Sequence, residues 1–143
     1  MISQRAKYAM RALVALAAAP DGTSVMISEI SRQQVIPKKF LEQILLELKR
    51  AGIVDSRRGR LGGYVLAKPA DRITFGEVLR LIDGPIALLP CLSKIAYRRC
   101  GDCAEEASCE IRRVFARVAD ASREVLDSTS LADALKTGAV ALA

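Results

Sequence analysis

The spacing of apolar and polar residues changes period several times along the chain, and each change marks an element. From residue 3 to 19 the pattern is helical and rich in alanine, with Tyr8, Leu13 and Leu16 offered to a core. Alanine has the best helix propensity, and its small side chain lets neighbours pack close. Pro20-Asp21-Gly22 is a turn, and residues 24–26 suit a short strand pairing with a later hairpin. A second helix opens at Ser28 or its neighbour, turns Ile27 and Ile30 inward and ends by Gln34. Val35-Ile36-Pro37 then leads into a third helix, where Phe40, Leu41, Ile44, Leu45 and Leu48 recur at three- and four-residue steps and make one apolar face. Pro37 suits a first helical turn, because its fixed φ fits and its missing N–H costs nothing there. Gly52 supplies the stop.

After Gly52 the period falls towards two. Ile53 and Val54 begin one arm of a hairpin, Tyr64, Val65 and Leu66 form the other, and Arg58-Gly59-Arg60-Leu61-Gly62-Gly63 is the tip. Lys68-Pro69 closes the second arm, since proline cannot donate to a continuing ladder. A helix over 74–82 follows, with Thr74 as N-cap, Glu77 three residues on as the partner of a capping box, and Val78, Leu79 and Ile82 facing inward. Gly84-Pro85 ends it, and residues 85–108 read as irregular. A long helix spans 110–127. Ile111, Val118 and Val125 stand seven apart, with Val114, Ala121 and Ser128 in the alternate register, close to a short coiled-coil seam. That face suits either a core or a dimer contact. A dimer contact is favoured, because the first 84 residues hold enough apolar positions to close a core. Ser130-Leu131-Ala132-Asp133 begins a last short helix, and residues 138–143 are expected to fray.

Two short helices with a tight connection, the second opening on proline, fit a helix-turn-helix. A helix followed by a basic, glycine-rich hairpin is the reading end of a winged form, its helix in the DNA major groove and its hairpin alongside. The expected fold is therefore mostly α, a winged helix-turn-helix with a small β-hairpin wing plus a long C-terminal dimerisation helix. Residues 1–84 would form the DNA-binding domain, 85–109 a cysteine-bearing sensor loop, and 110–143 the dimerisation helix and tail.

Charge sharpens this. The net charge of +6 is uneven: residues 1–69 carry +7 and residues 70–143 carry −1. The basic surplus lies wholly in the half holding the reading helix, as an electrostatic footprint on nucleic acid requires. With 51% hydrophobic residues the chain can bury a core, yet no apolar run reaches membrane-spanning length. Arg5, Lys7 and Arg11 interrupt any signal-peptide core, so a cytoplasmic location without membrane attachment is expected. There is no histidine, which removes the commonest general base, the usual triads and every His-containing metal site. The chain does not read as an enzyme.

The four cysteines, Cys91, Cys100, Cys103 and Cys109, fall in one short segment. In a chain read as cytoplasmic, clustered thiols point to metal, cluster or redox chemistry more than to structural disulfides. Four thiolates suit [2Fe-2S] or [4Fe-4S] clusters and equally tetrahedral zinc. A thiol/disulfide switch between Cys100 and Cys103 or a partner is the rival; Arg98 and Arg99 would lower a nearby thiol pKa and promote attack. An oxidoreductase built on Cys100-Gly101-Asp102-Cys103 lacks the expected βαβ context. A DNA-binding protein whose cysteines are incidental completes the set.

With these pieces placed, the chain resembles the iron–sulfur and redox-responsive winged-helix repressors of bacteria, the family of IscR, NsrR, RirA and CymR. The resemblance rests on Lys7-Tyr8-Ala9 and Ile30-Ser31, and on Ile36-Pro37 with Phe40-Leu41-Glu42-Gln43-Ile44-Leu45. It continues through Ala51-Gly52-Ile53-Val54, Arg58-Gly59, Gly62-Gly63-Tyr64 and Leu131-Ala132-Asp133. It implies a DNA-binding transcription regulator, a repressor, acting as a homodimer on double-stranded DNA with a (pseudo)palindromic operator.

The resemblance also implies that Glu42 and Gln43 approach bases and that Arg58 enters the minor groove, with Lys7, Tyr8, Lys39 and Gly59 among the contacting residues. This agrees with the chemistry. Gln pairs bidentately with adenine, Glu accepts from the cytosine amine, and Arg favours a narrow minor groove. Lys38, Lys39, Arg57 and Arg60 would mainly neutralise phosphates. Cluster-binding members carry three cysteines here, matched by Cys91, Cys103 and Cys109; Cys100 is extra and the gap after Cys91 is longer. Where one member has a ligating histidine this chain has Arg112, and where another has a ligating aspartate it has Lys7. Cys100 is thus the candidate fourth ligand of an iron–sulfur cluster, the reading placed first, ahead of a thiol switch and of zinc.

Overall fold

A computed structural model describes residues 2–136. Its helices are α1 (Gln4–Ala18), α2 (Ile27–Gln34), α3 (Lys38–Arg50), α4 (Phe75–Asp83), α5 (Glu110–Ser128) and α6 (Leu131–Lys136). Strands β1 (Val54–Arg57) and β2 (Gly63–Leu66) pair antiparallel, with Val54 opposite Leu66 and Arg57 opposite Gly63. Residues 138–143, expected to fray, lie outside the described residues.

The sequence patterns explain most boundaries. Ser3 caps α1, its hydroxyl accepting from the Ala6 N–H at 2.9 Å, and Thr74 caps α4 by accepting from the Glu77 N–H at 3.1 Å. Each cap satisfies a backbone donor that the first helical turn leaves unpaired. Past the end of α3, Gly52 takes φ +77, the left-handed turn that stops the helix. Pro37 stands at the N-cap, one residue outside the helix in which it was expected.

The core gathers Ala9, Ala12, Leu13 and Leu16 of α1, Ile30 of α2, and Leu41, Ile44, Leu45 and Leu48 of α3. Ile53, Val54, Ile73 and Val78 close it, together with Leu131 of α6, which is fully buried. The alanines of α1 do what their size allows, since α3, α4 and α6 all pack against that one helix. Phe40 departs from the expected pattern. It is the edge residue of the α3 stripe and remains partly exposed, its ring meeting that of Tyr8 edge-on at 5.6 Å and 83°. Residues 24–26 form a single bridge, Val25 to Tyr64, and not a strand. The long helix α5 buries only Ala119 and leaves Ile111, Val114, Phe115, Val118 and Val125 exposed. Among the described residues no helix is long and apolar enough to cross a membrane.

Candidate nucleic-acid interface and cysteine segment

Helix α3 separates its faces cleanly. Leu41, Ile44, Leu45 and Leu48 are buried, while Lys38, Lys39, Glu42 and Gln43 are all exposed on the opposite side. Those four are free to meet another molecule because the apolar stripe alone anchors the helix. The turn before it is tight. Val35 adopts φ 54, a left-handed conformation that is uncommon for a β-branched residue, and the Ser31 hydroxyl donates to the Ile36 carbonyl at 2.6 Å.

The wing is braced from two sides. Val25 and Tyr64 exchange backbone hydrogen bonds of 2.9 and 2.8 Å, so the loop between α1 and α2 becomes a third partner of the hairpin. Gly63 makes this possible: at φ +147 it lies so close to the Val25 carbonyl that any Cβ would collide with it. The Lys49 ammonium donates to the Ser56 hydroxyl at 2.6 Å, tying the end of α3 to β1. The Arg57 guanidinium donates to the Gly22 carbonyl at 2.6 Å, so this residue braces the wing as well as carrying charge. Arg58, Gly59 and Arg60 stand exposed at the tip. Lys7 is exposed on α1, and Tyr8 is half-buried against the core. The pairing of residues 24–26 with the hairpin was expected and is met by the single Val25–Tyr64 bridge, whereas the Lys49–Ser56 and Arg57–Gly22 contacts carry no local signal.

The cysteine segment is mounted on α5. The Arg123 guanidinium donates to the Leu92 carbonyl at 2.8 Å and that of Arg112 to the Cys91 carbonyl at 3.5 Å. Cys91 is buried within a short 3₁₀ turn, Pro90–Leu92. The Cys100 thiol is pushed above the usual thiol range. Loss of solvent comes first, then the charge and hydrogen bond of the Cys91 thiol, then the negative charges of Asp102 and Cys103. This reverses the effect expected of Arg98 and Arg99. The Arg99 guanidinium faces the Cys103 and Ala104 carbonyls at 3.3 and 3.0 Å, and so does not serve the thiol.

The thiol whose charge and hydrogen bond act on Cys100 is thus Cys91, a coupling hidden by their separation in sequence. Cys109 is the N-cap of α5, its sulfur accepting from the Arg112 N–H at 3.4 Å. The Arg112 Nε is buried and, among the described residues, has no hydrogen-bond partner. Nearby, the Tyr97 hydroxyl donates to Glu106, which raises the Tyr97 pKa because ionisation would set two negative charges together. The donor set suits an iron–sulfur cluster, but the arrangement does not: among the described residues no three Cys, Asp or Glu side chains converge as a metal-holding group.

An exposed polar recognition helix beside a braced basic hairpin defines a winged helix-turn-helix of the nucleic-acid-binding class. Residues 2–137 match the family model described as Rrf2, iron-dependent transcriptional regulator, and the chain belongs to that family of transcriptional regulators. It is 49% identical over 141 residues to an rrf2-like HTH-type transcriptional regulator of Rhodobacter capsulatus, covering 96% of this chain and 94% of that one. To the HTH-type transcriptional regulator CymR of Bacillus subtilis it is 33% identical over 132 residues, covering 92% and 87%. Among solved structures, CymR, the global cysteine regulator of B. subtilis, superposes with a TM-score of 0.80 at 32% identity, covering 95% of this chain and 96% of that one. IscR of T. potens superposes with a TM-score of 0.76 at 27% identity, covering 100% and 93%.

Proposed function

We propose that this protein is a homodimeric, cytoplasmic repressor that reads a two-fold operator with α3 and its wing, and that the state of its cysteine segment sets how tightly it does so. The observation that carries the DNA reading is the outward face of α3, with Lys38, Lys39, Glu42 and Gln43, held beside a rigidly braced arginine wing. Glu42 and Gln43 address base edges, Arg58 the minor groove, and Lys38, Lys39 and Arg60 the phosphates. Two copies joined along the exposed face of α5 would present half-sites about one helical turn apart, roughly 34 Å, or a multiple of it.

The sensor reading is supported by the action of the Cys91 thiol on that of Cys100. A small disulfide accepts two electrons from them: one thiolate attacks it to give a mixed disulfide and one free thiol. The second cysteine then displaces the other small thiol and closes Cys91–Cys100. Because Arg112 and Arg123 hold the carbonyls of residues 91 and 92, a change in this segment is felt on α5. A second reading keeps the cluster. The four thiols within residues 91–109 are an all-thiolate donor set, and the buried Arg112 Nε offers an unpaired donor to a negatively charged sulfur. That reading requires Cys109 to leave its capping position.

Anaerobic purification with absorption spectroscopy and metal analysis, followed by operator binding of each form, separates the two readings. A colourless, metal-free protein whose affinity changes when Cys91 and Cys100 are oxidised supports the thiol switch. A brown protein with about stoichiometric iron and sulfide supports the cluster. Equal operator affinity in every form, and in a variant with all four cysteines replaced by serine, overturns the sensor and leaves a plain DNA-binding regulator.

A further inference from the structure

Leu61 has 89% of its surface exposed, more than any other large apolar side chain among the described residues. Leaving a leucine in water forgoes the free energy that its burial would supply. The backbone beneath it is held. The Leu61 carbonyl accepts from the Ser24 hydroxyl, and the Gly62 N–H donates to the Gly59 carbonyl at 2.9 Å, closing the turn at the tip. A Cβ on Gly62 would lie 2.6 Å from the Arg57 carbonyl and 2.7 Å from that of Gly59, so the turn has no slack behind the leucine. The side chain therefore stands exposed on a firmly held turn at the tip of the wing.

Its neighbours give the surface it can meet. Arg58 and Arg60 stand in the same tip, both exposed and, among the described residues, without an ion pair or hydrogen bond, and the wing's one carboxylate, Asp55, lies towards the hairpin base. Cations beside an apolar tip match the minor groove, where phosphates line the rims and the walls are deoxyribose carbon and hydrogen. We infer that Leu61 is a DNA-contacting residue that packs on the sugar walls of the minor groove while Arg58 and Arg60 hold the rims. This inference rests on the DNA reading above and adds to it a contact that is apolar, independent of salt and sensitive to groove width.

The test uses the full-length protein and a duplex that the wild type selects from a random pool. Fluorescence anisotropy across a salt series compares wild type, Leu61→Ala, Leu61→Met and Arg58→Ala. Leu61→Ala is expected to weaken binding about tenfold, as for loss of most of one buried aliphatic side chain. Its slope of log Kd against log salt should match wild type, and so should its thermal midpoint, since the side chain is exposed. Leu61→Met should bind within about twofold of wild type, because the replacement keeps the apolar volume. Arg58→Ala should instead reduce the salt slope by about one unit. Substituting 2,6-diaminopurine for adenine opposite the wing puts an amino group on the groove floor, and should weaken wild type more than Leu61→Ala.

Wild-type affinity in Leu61→Ala, or a loss that grows and shrinks with salt, overturns the leucine contact while leaving the DNA reading intact. A wild type that selects no sequence overturns the DNA reading itself, and this contact with it.

Discussion

At the scale of single residues, strain and exposure sit where the winged domain meets the outside. Val35 is 78% exposed and holds φ 54 at the corner between α2 and α3. A left-handed conformation costs an ordinary L-residue roughly 1–2 kcal/mol, and asparagine tolerates it better because its short side chain bonds locally. Val35→Asn should therefore raise unfolding stability by about 1 kcal/mol, read as a higher denaturant midpoint at unchanged slope. A lower midpoint would show that the valine side chain makes a contact that offsets its strain. Much of this scale was legible beforehand. The cap at Thr74, the stop at Gly52 and the buried stripe of α3 all follow from chemistry within four residues. Val35 was not legible, because nothing local marks a valine for a conformation that only the packing of two helices imposes.

At the scale of elements, the telling contacts are those that mount one element on another. The Arg80 guanidinium grips Asp127 through two hydrogen bonds of 2.6 and 2.8 Å, joining α4 to α5. Gly76 leaves room for it, since a Cβ there would strike the Asp127 carboxylate. The hydrogen bond from Arg80 holds the Asp127 carboxyl below the usual carboxylate range, with the charges of Arg80, Arg123 and Lys94 adding to the effect. A carboxyl with a depressed folded-state pKa adds stability that is complete above its unfolded value, about 3.9, and is lost as pH falls through the folded value. Both partners are a third or more exposed to water, so the pair is worth no more than about 1 kcal/mol. Asp127→Asn should lower stability by that amount near neutral pH, and the two proteins should converge in acid. Denaturant midpoints measured from about pH 2.5 to 7 decide it; a gap that does not narrow in acid would exclude this linkage. The bracing of the wing by Lys49–Ser56 and by Val25–Tyr64 belongs to the same scale. The pattern along the chain revealed the two strands and the pairing of residues 24–26 with them, but not the tie from Lys49 to Ser56.

At the scale of the whole molecule, the winged domain and α5 divide the work. Helix α5 leaves Ile111, Val114, Val118 and Val125 in water, a face that a second copy would cover. Val118→Asp places a charge in the middle of that face. The expected result is a monomer by analytical ultracentrifugation, with an unchanged fold by circular dichroism. Operator affinity should fall about a hundredfold or more, since two linked half-site contacts become one. A dimer that survives this change would move the interface elsewhere. Helix α5 also carries, away from that face, the arginines that hold the carbonyls of Cys91 and Leu92. One helix thus connects the thiol segment with the surface that would set the spacing of two reading heads.

The chain's own order of residues determined the elements, the reading face of α3 and the basic wing, because helix periodicity, hairpin alternation and capping act over a few neighbouring positions. It also determined that four thiols would share one segment. Which thiols meet was decided only in three dimensions. Cys100 was expected first as a cluster ligand, and in the rival reading as the partner of Cys103 or of another thiol, yet the thiol that acts on it is Cys91, and the Arg99 guanidinium is drawn off to backbone carbonyls. The same holds for Leu131, which reaches back from beyond α5 into the core of the winged domain. Side-chain pairing of this kind depends on where the backbone brings distant residues together, and no pattern along the chain encodes that position.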